Sequence, residues 1–235
     1  MQLEKILQSQ GFGSRKQCRQ LIESGKVMIG AEVCRDPKTS FDISDLSFRV
    51  GDQTWLYREK IYLALHKPSG YECSHQPQHH PSVFDLLPAP LIERGVQCVG
   101  RLDQDTTGLL LLTDDGAFLQ ALTHPKKHVA KRYLVTTNRA ITDEQIAQLM
   151  QGVALRNEQG VFAADECLKL GENQLVLTIH QGLYHQVKRM LAAVGNHVDA
   201  LHREQIGQFK LPDDLPEGEW IYLDEAQVNL ARQLI

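Results

Sequence analysis

Four consecutive leucines, Leu109–Leu112, are the feature that most narrows what this chain can fold into. A short, unbroken apolar run between turn residues suits a strand buried on both faces, not one with a wet side. The residues before it read Gly100-Arg101-Leu102-Asp103-Gln104-Asp105-Thr106-Thr107-Gly108. Small and hydroxyl residues there suit a tight loop that presents a side chain above a sheet. Two carboxylates therefore stand at the mouth of a buried strand. A loop aspartate ordinarily makes a turn or a cap. Asp103 has unusual company: an arginine two residues before, a second carboxylate two after, and a strand to hold the loop still. That company makes it a candidate for chemistry. Asp114-Asp115-Gly116 reads instead as a turn opening the next helix, with Asp115 as its cap.

Upstream, Leu3, Ile6 and Leu7 recur at helical spacing. Ser14 followed three residues later by Gln17 is a capping-box pattern, and Cys18, Leu21 and Ile22 make the apolar stripe of a helix that Gly25 ends. Short alternating stretches at 26–30 and 31–34 read as strands. Arg15, Lys16 and Arg19 fall within about one turn on the solvent side of that helix, and Lys26 sits just past its end. A linker is expected near residues 50–59. From Ile61 onward strands (61–67, 109–113, 131–137, 174–180) alternate with helices (115–124, 142–153, 184–195). Strands outnumber helices and often adjoin, which favours α+β with an antiparallel or mixed sheet. The domains implied are 1–58, small and helix-rich, and 59–235, larger.

A chain of 235 residues, 42% hydrophobic and 23% charged, is long enough to bury a real core and is not disordered. No apolar run approaches the ~20 residues of a membrane helix. The first residues, MQLEKILQSQ, do not make a signal peptide. Five scattered cysteines without a C-x-x-C pair suit a reducing cytoplasm. Cys73, His75, His79 and His80 cluster in a Pro- and Gln-rich loop, but without a second ligand pair no metal is assigned. The formal charge of −4 argues mildly against a nucleic-acid binder unless the basic residues are concentrated.

They are concentrated. His124, Lys126, Lys127, His128, Lys131 and Arg132 lead into Tyr133, a pattern that suits phosphate contact beside a stacking aromatic. A solvated loop is the competing reading. His185, Lys188 and Arg189 lie on the first turns of a helix whose apolar side is Val187, Met190, Leu191 and Val194. Cations gain nothing from a helix N-terminus, so Lys188 and Arg189 call for a carboxylate or phosphate partner. His197 and His202 read as structural or phosphate-adjacent.

The segment from Gly11 to Val33 resembles the S-four RNA-binding domain. The segments GRLDQDTTGLLLLTDDG, KRYLV and GLYHQVKRMLAAVGNHVDALHRE resemble the signature segments of pseudouridine synthases, nearest to the small-subunit (RsuA-type) branch that acts on 16S ribosomal RNA. The resemblance implies that Ser14, Arg15, Lys16, Arg19 and Lys26 face RNA phosphate. It implies Asp103 as the catalytic carboxylate, as nucleophile or as base, with Lys188 its cationic partner and Tyr133 stacking on the target base. A cation within ~4–6 Å favours the ionised form of a carboxylate in a closed pocket. Arg101 would hold the flipped nucleotide's phosphate or fill the space it vacates, and Lys131 and Arg189 would join the RNA-binding set. Asp105 is expected to stabilise the loop. The isomerisation needs no cofactor, and no phosphate- or dinucleotide-binding glycine motif is present. The expected partner is 16S ribosomal RNA or a small-subunit assembly intermediate, with no membrane and a monomeric enzyme. A sister enzyme acting on 23S RNA and a non-catalytic RNA-binding assembly factor are the rival readings.

Overall fold

The computed structural model describes residues 1–124, Lys127 and 129–234. They divide into two compact units, one of Met1–Ile61 with Leu87–Gln97, the other of Tyr62–Leu86 with Cys98–Ile235.

The first unit begins with α1 (Leu3–Ser9) and α2 (Arg15–Glu23). Ser14 caps α2 through the backbone N–H of Gln17, and the Gln17 side chain accepts from the Ser14 N–H, completing the capping box. At the other end Gly25 takes φ +74°. Its N–H bonds to Ile22 O and that of Lys26 to Leu21 O, the two-bond C-terminal cap that a left-handed glycine permits. Four strands, β1 (Val27–Ile29), β2 (Glu32–Cys34), β3 (Ser47–Val50) and β4 (Gln53–Leu56), form an antiparallel sheet in the order β2-β1-β3-β4. Leu3, Ile6, Leu7, Cys18, Ile22, Val27 and Phe48 make its core.

Residues 50–59 are thus not a linker. Gly51 turns β3 into β4, and Trp55 packs edge-on against Phe12 with ring centroids 5.3 Å apart. A later helix, α3 (Ala89–Glu93), also belongs to this unit. Arg94, just after it, donates to Gln10 Oε1 (3.0 Å) and to the carbonyl of Arg58 (2.8 Å).

The second unit comprises β5 (Tyr62–Lys67), β6 (Gln97–Cys98) at its edge, β7 (Thr107–Thr113), α4 (Gly116–Thr123), β8 (Lys131–Thr137) and α5 (Asp143–Gln151). These are followed by β9 (Val153–Ala154), β10 (Val161–Phe162), β11 (Glu166–Lys169), β12 (Gln174–Ile179), α6 (Gln186–Ala193), β13 (Val198–Ile206), β14 (Phe209–Lys210), β15 (Trp220–Tyr222) and α7 (Glu225–Arg232). The main path of its sheet is β11-β12-β8-β13-β7-β5-β15. Neighbours along it are antiparallel except β13 and β7, which run parallel. The sheet is therefore mixed, in an α+β unit.

The leucine strand lies inside this sheet, and Leu109 to Leu112 are all fully buried. Leu109 and Leu111 face a cluster with Phe118, Leu122, Val228 and Ala231 from α4 and α7, while Leu110 and Leu112 alternate to the opposite face. At about 1.5–3 kcal/mol for each fully buried leucine, the strand is a rigid base for the loop that precedes it. Asp115 caps α4 through the N–H of Ala117 and also accepts from the Tyr62 hydroxyl at 2.8 Å. No helix among the described residues is long and apolar enough to cross a membrane.

Candidate active site

Strand β13 lies beside the start of β7, with His202 opposite Thr107 and Arg203 opposite Gly108. The closeness depends on the glycine. A Cβ built on Gly108, whose φ is +102°, would lie 2.7 Å from the Arg203 nitrogen and nearer still to its carbonyl oxygen. The glycine that closes the Asp103 loop is therefore fixed by the approach of a neighbouring backbone.

Lys67, at the end of β5 and wholly buried, fixes the loop from below. Its ammonium donates to the carbonyls of Pro68 (2.9 Å), Gln104 (3.1 Å) and Thr106 (2.9 Å), using all three donors. Burial pushes this amine down from its ordinary value. The N–H of Thr106 bonds back to Asp103 O (3.1 Å), closing the turn. Cys73 Sγ accepts from the N–H of Leu102 at 3.5 Å. A hydrogen bond from Cys98 lowers the Cys73 thiol from its ordinary value.

The loop presents Asp103 to the start of α6. His185 Nε2 lies 3.2 Å from Asp103 Oδ1 and Lys188 Nζ lies 3.2 Å from Oδ2, so each carboxylate oxygen has a neighbour. Lys188 is closer to Asp105, at 2.7 and 2.9 Å from its two oxygens. Burial raises the Asp105 carboxyl, but the Lys188 ammonium outweighs it and the net direction is down; Lys188 itself moves up against its own burial. His185 occupies the N-cap position in the left-handed region, φ +51° and ψ +32°, yet caps nothing. Its imidazole points to Asp103 and stacks on the exposed ring of Tyr184, centroids 3.8 Å apart. The buried Gln186 holds the turn, accepting from Leu183 N–H (3.1 Å) and donating to Gln181 Oε1 (3.2 Å).

Asp103 opens onto a cleft of about 290 Å³, lined by Arg101, Thr106, Lys131, Tyr133, His185 and Arg203 among others. Tyr133 lies opposite Arg203 in the β8–β13 register and is 9% exposed. Lys131, two residues earlier on the same face, donates to His180 O at 3.3 Å. Burial, aided by the charge of Arg203, pushes its amine down to about 8.

Asp103, Tyr133, Lys188, Arg101 and Lys131 are thus brought together in one unit. Other candidates are engaged elsewhere. Arg132 alternates to the opposite face of β8, where it pairs with Glu166 and with Glu204 at 3.6 Å, so the basic run before Tyr133 is not one patch. Lys126 and His128 lie outside the described residues. Arg189 donates to Glu158 Oε1 (3.0 Å), Tyr184 O (3.2 Å) and Arg156 O, which buttresses the segment before α6. His202 Nδ1 lies 2.8 Å from Thr107 Oγ1 and its ring meets that of His66 edge-on. Among the described residues no group of His, Cys, Asp or Glu is placed to hold a metal. Near Cys73 it is the Glu72 carboxylate that organises the loop, accepting the N–H groups of Gln78, His79 and His80.

On α2 the cationic face is partly committed. Arg15 and Arg19 both bind Glu4, a fully buried carboxylate of α1, with Arg15 at 2.6 Å. The bond from Arg19, then that from Arg15, holds this carboxyl down at about 2. Lys16 and Lys26 are exposed, and the Ser14 hydroxyl is used in the cap.

Residues 61–193 match the family of RNA pseudouridylate synthases, and residues 1–47 match the S4 domain. The chain belongs to the RNA pseudouridylate synthase family. It is 39% identical to a protein of Vibrio parahaemolyticus named ribosomal small subunit pseudouridine synthase A, over 97% of this chain and 98% of the relative. It is 37% identical to the Escherichia coli K12 protein of the same name, over 97% and 98% of the two chains. A solved structure titled as a pseudouridylate synthase superposes with a TM-score of 0.70 at 33% identity, covering 98% of this chain and 99% of that one. The family makes an isomerase of the second unit.

Sequence reasoning did not single out Lys67, Thr106 or Arg203, nor the contact of His185 with Asp103. A lysine closing the strand Tyr62–Lys67, in alternation with the apolar Leu63 and Leu65, is the signal for the first.

Proposed function

We propose that the enzyme isomerises one uridine of 16S ribosomal RNA to pseudouridine, with Asp103 as the catalytic carboxylate. The observation that carries this reading is Asp103 itself, braced by a loop tied to Lys67, contacted by His185 and Lys188, and open to a cleft that holds Tyr133. In the reaction the bond from C1′ to N1 breaks and one from C1′ to C5 forms. The C5 proton leaves and N1 gains one, so atoms and electrons balance without a redox partner.

Extruding the target base costs a few kcal/mol. Stacking on Tyr133, worth roughly 1–3 kcal/mol, offsets much of it. Lys188 pairs with both Asp103 and Asp105 and holds the Asp105 carboxyl in its ionised form, and Arg101, exposed at the loop, holds the nucleotide's phosphate. In the first unit Lys16 and Lys26 supply phosphate contacts, with Arg15 and Arg19 adding what charge Glu4 does not neutralise. The names of the relatives support the small-subunit target.

A pseudouridine map of 16S and 23S RNA, from cells lacking the protein and from complemented cells, tests the reading. Loss of one 16S site, restored by the wild-type gene, is the expected result. Loss of a 23S site would move the target to the large subunit. An unchanged map in both RNAs would favour a binding factor.

A further inference from the structure

Two polar groups beside the cleft have no use in the free protein. Arg203 is 3% exposed and donates Nε to Leu109 O at 2.8 Å, but its Nη2 is buried without a partner. Thr106 is 1% exposed, and its hydroxyl is likewise buried and unpartnered. Both residues line the cleft beside Asp103, and the parallel pairing of β7 with β13 sets Arg203 opposite Gly108, two residues after Thr106. Among the described residues no carboxylate forms an ion pair with Arg203. Burying a guanidinium this way costs several kcal/mol, and most buried polar groups in proteins avoid it. Two such groups at one cleft call for an occupant that accepts hydrogen bonds and carries negative charge.

The substrate supplies one. When C1′–N1 breaks, its electron pair stays on uracil and spreads over the carbonyl oxygens. If Asp103 adds to the base first, charge builds on a carbonyl oxygen as well. Either route returns the pair when C1′–C5 forms. We propose that Arg203 Nη2 and Thr106 Oγ1 donate to a carbonyl oxygen of the target uracil and stabilise the charge that develops there. The inference rests on the reading of the cleft as the uridine site. Both donors are covered in the free protein, so the entering base must displace what covers them, and the contact is then made in a low-dielectric setting where it counts most. Donors aimed at developing charge act on kcat rather than on binding. Where that oxygen is O4, the contact also selects uracil over cytosine, whose 4-amino group would meet donors with a donor.

Thr106→Val and Arg203→Lys test this, the first keeping shape and the second keeping charge. The readouts are single-site turnover on the RNA that the wild type modifies, thermal melting, and turnover on RNA carrying 2-thiouridine or 4-thiouridine at the target. Each variant is expected to lose roughly 10²-fold in kcat, the scale for one oxyanion donor, with KM nearly unchanged. Thr106→Val melts at the wild-type temperature or higher, since its hydroxyl has no partner to lose. Sulfur at one carbonyl slows the wild type, and in Thr106→Val that penalty disappears. Variants with wild-type kcat, or with an unaltered thio penalty, would overturn the inference while wild-type turnover leaves the uridine site standing. If the wild type itself formed no pseudouridine, the reading beneath it would fall.

Discussion

Two buried charges, Glu4 in the first unit and Arg203 in the second, are treated in opposite ways. In the first, Glu4 is sealed inside and answered by two arginines. In the second, Arg203 and Thr106 are sealed beside the cleft with donors to spare. A saturated buried charge fixes one arrangement of its neighbours, here α1 against α2. An unsaturated one is a standing cost that a ligand can relieve. The same chemistry thus separates a scaffold from a site, and Lys67 shows the two uses meeting: a saturated cation that holds the loop of an unsaturated cleft.

The largest expected effect is at Lys67. Lys67→Met orphans three loop carbonyls at about 1–3 kcal/mol each, so the second unit should lose roughly 3 kcal/mol or more in urea unfolding, and turnover with it. A variant as stable as the wild type would show that the loop does not depend on this cation, and the contrast with Arg203 would dissolve.

Lys131 comes next. Its amine, pushed down to about 8 by burial, is charged below that pH and neutral above it. Its folded value lies below the ordinary 10.5, so burial of the charge costs stability below about pH 8, and the cost fades as pH rises toward 10.5. If the cleft uses this charge, turnover should decline several-fold as pH rises through about 8, and Lys131→Arg, which stays charged, should lack that decline. The same alkaline profile in both proteins would show that the cleft does not use the charge of Lys131.

The smallest effect belongs to Glu4. Its folded value of about 2 lies below the ordinary 4.5. Its contribution to stability is present above 4.5 and is lost as pH falls toward 2. Unfolding of the first unit, followed by the fluorescence of Trp55 in a Trp220→Phe background, should become easier with acid over that range, and Glu4→Gln should flatten the dependence. A variant with the wild-type slope would show that the arginines serve RNA more than they serve Glu4.

Much of this architecture is legible in the sequence because its signals are local. The Ser14–Gln17 box, the Asp115 cap and the buried leucine strand each depend on residues within a few positions. Long-range partners are not. That Arg15 and Arg19 would turn to Glu4, that Arg132 and Lys131 would face opposite sides of β8, and that Arg94 would join Gln10 all depend on tertiary placement. The segment at 50–59 misleads because a tight glycine hairpin leaves little apolar pattern in strands as short as Gln53–Leu56. In the site, Asp103 stands out by its neighbours in sequence, whereas Arg203 comes from a strand about a hundred residues on and is recognised only through its pairing with Gly108.

The central claim is that Asp103 performs the chemistry in a cleft built to hold a uridine. Purified wild-type and Asp103→Asn proteins, incubated with 16S RNA and small-subunit particles, can be compared for pseudouridine formed per RNA and for RNA affinity. The account predicts a single modified site with the wild type. It predicts a loss of about 10⁴-fold or more with Asp103→Asn, at unchanged melting temperature and affinity. Pseudouridine formed by Asp103→Asn at a rate near that of the wild type would contradict it.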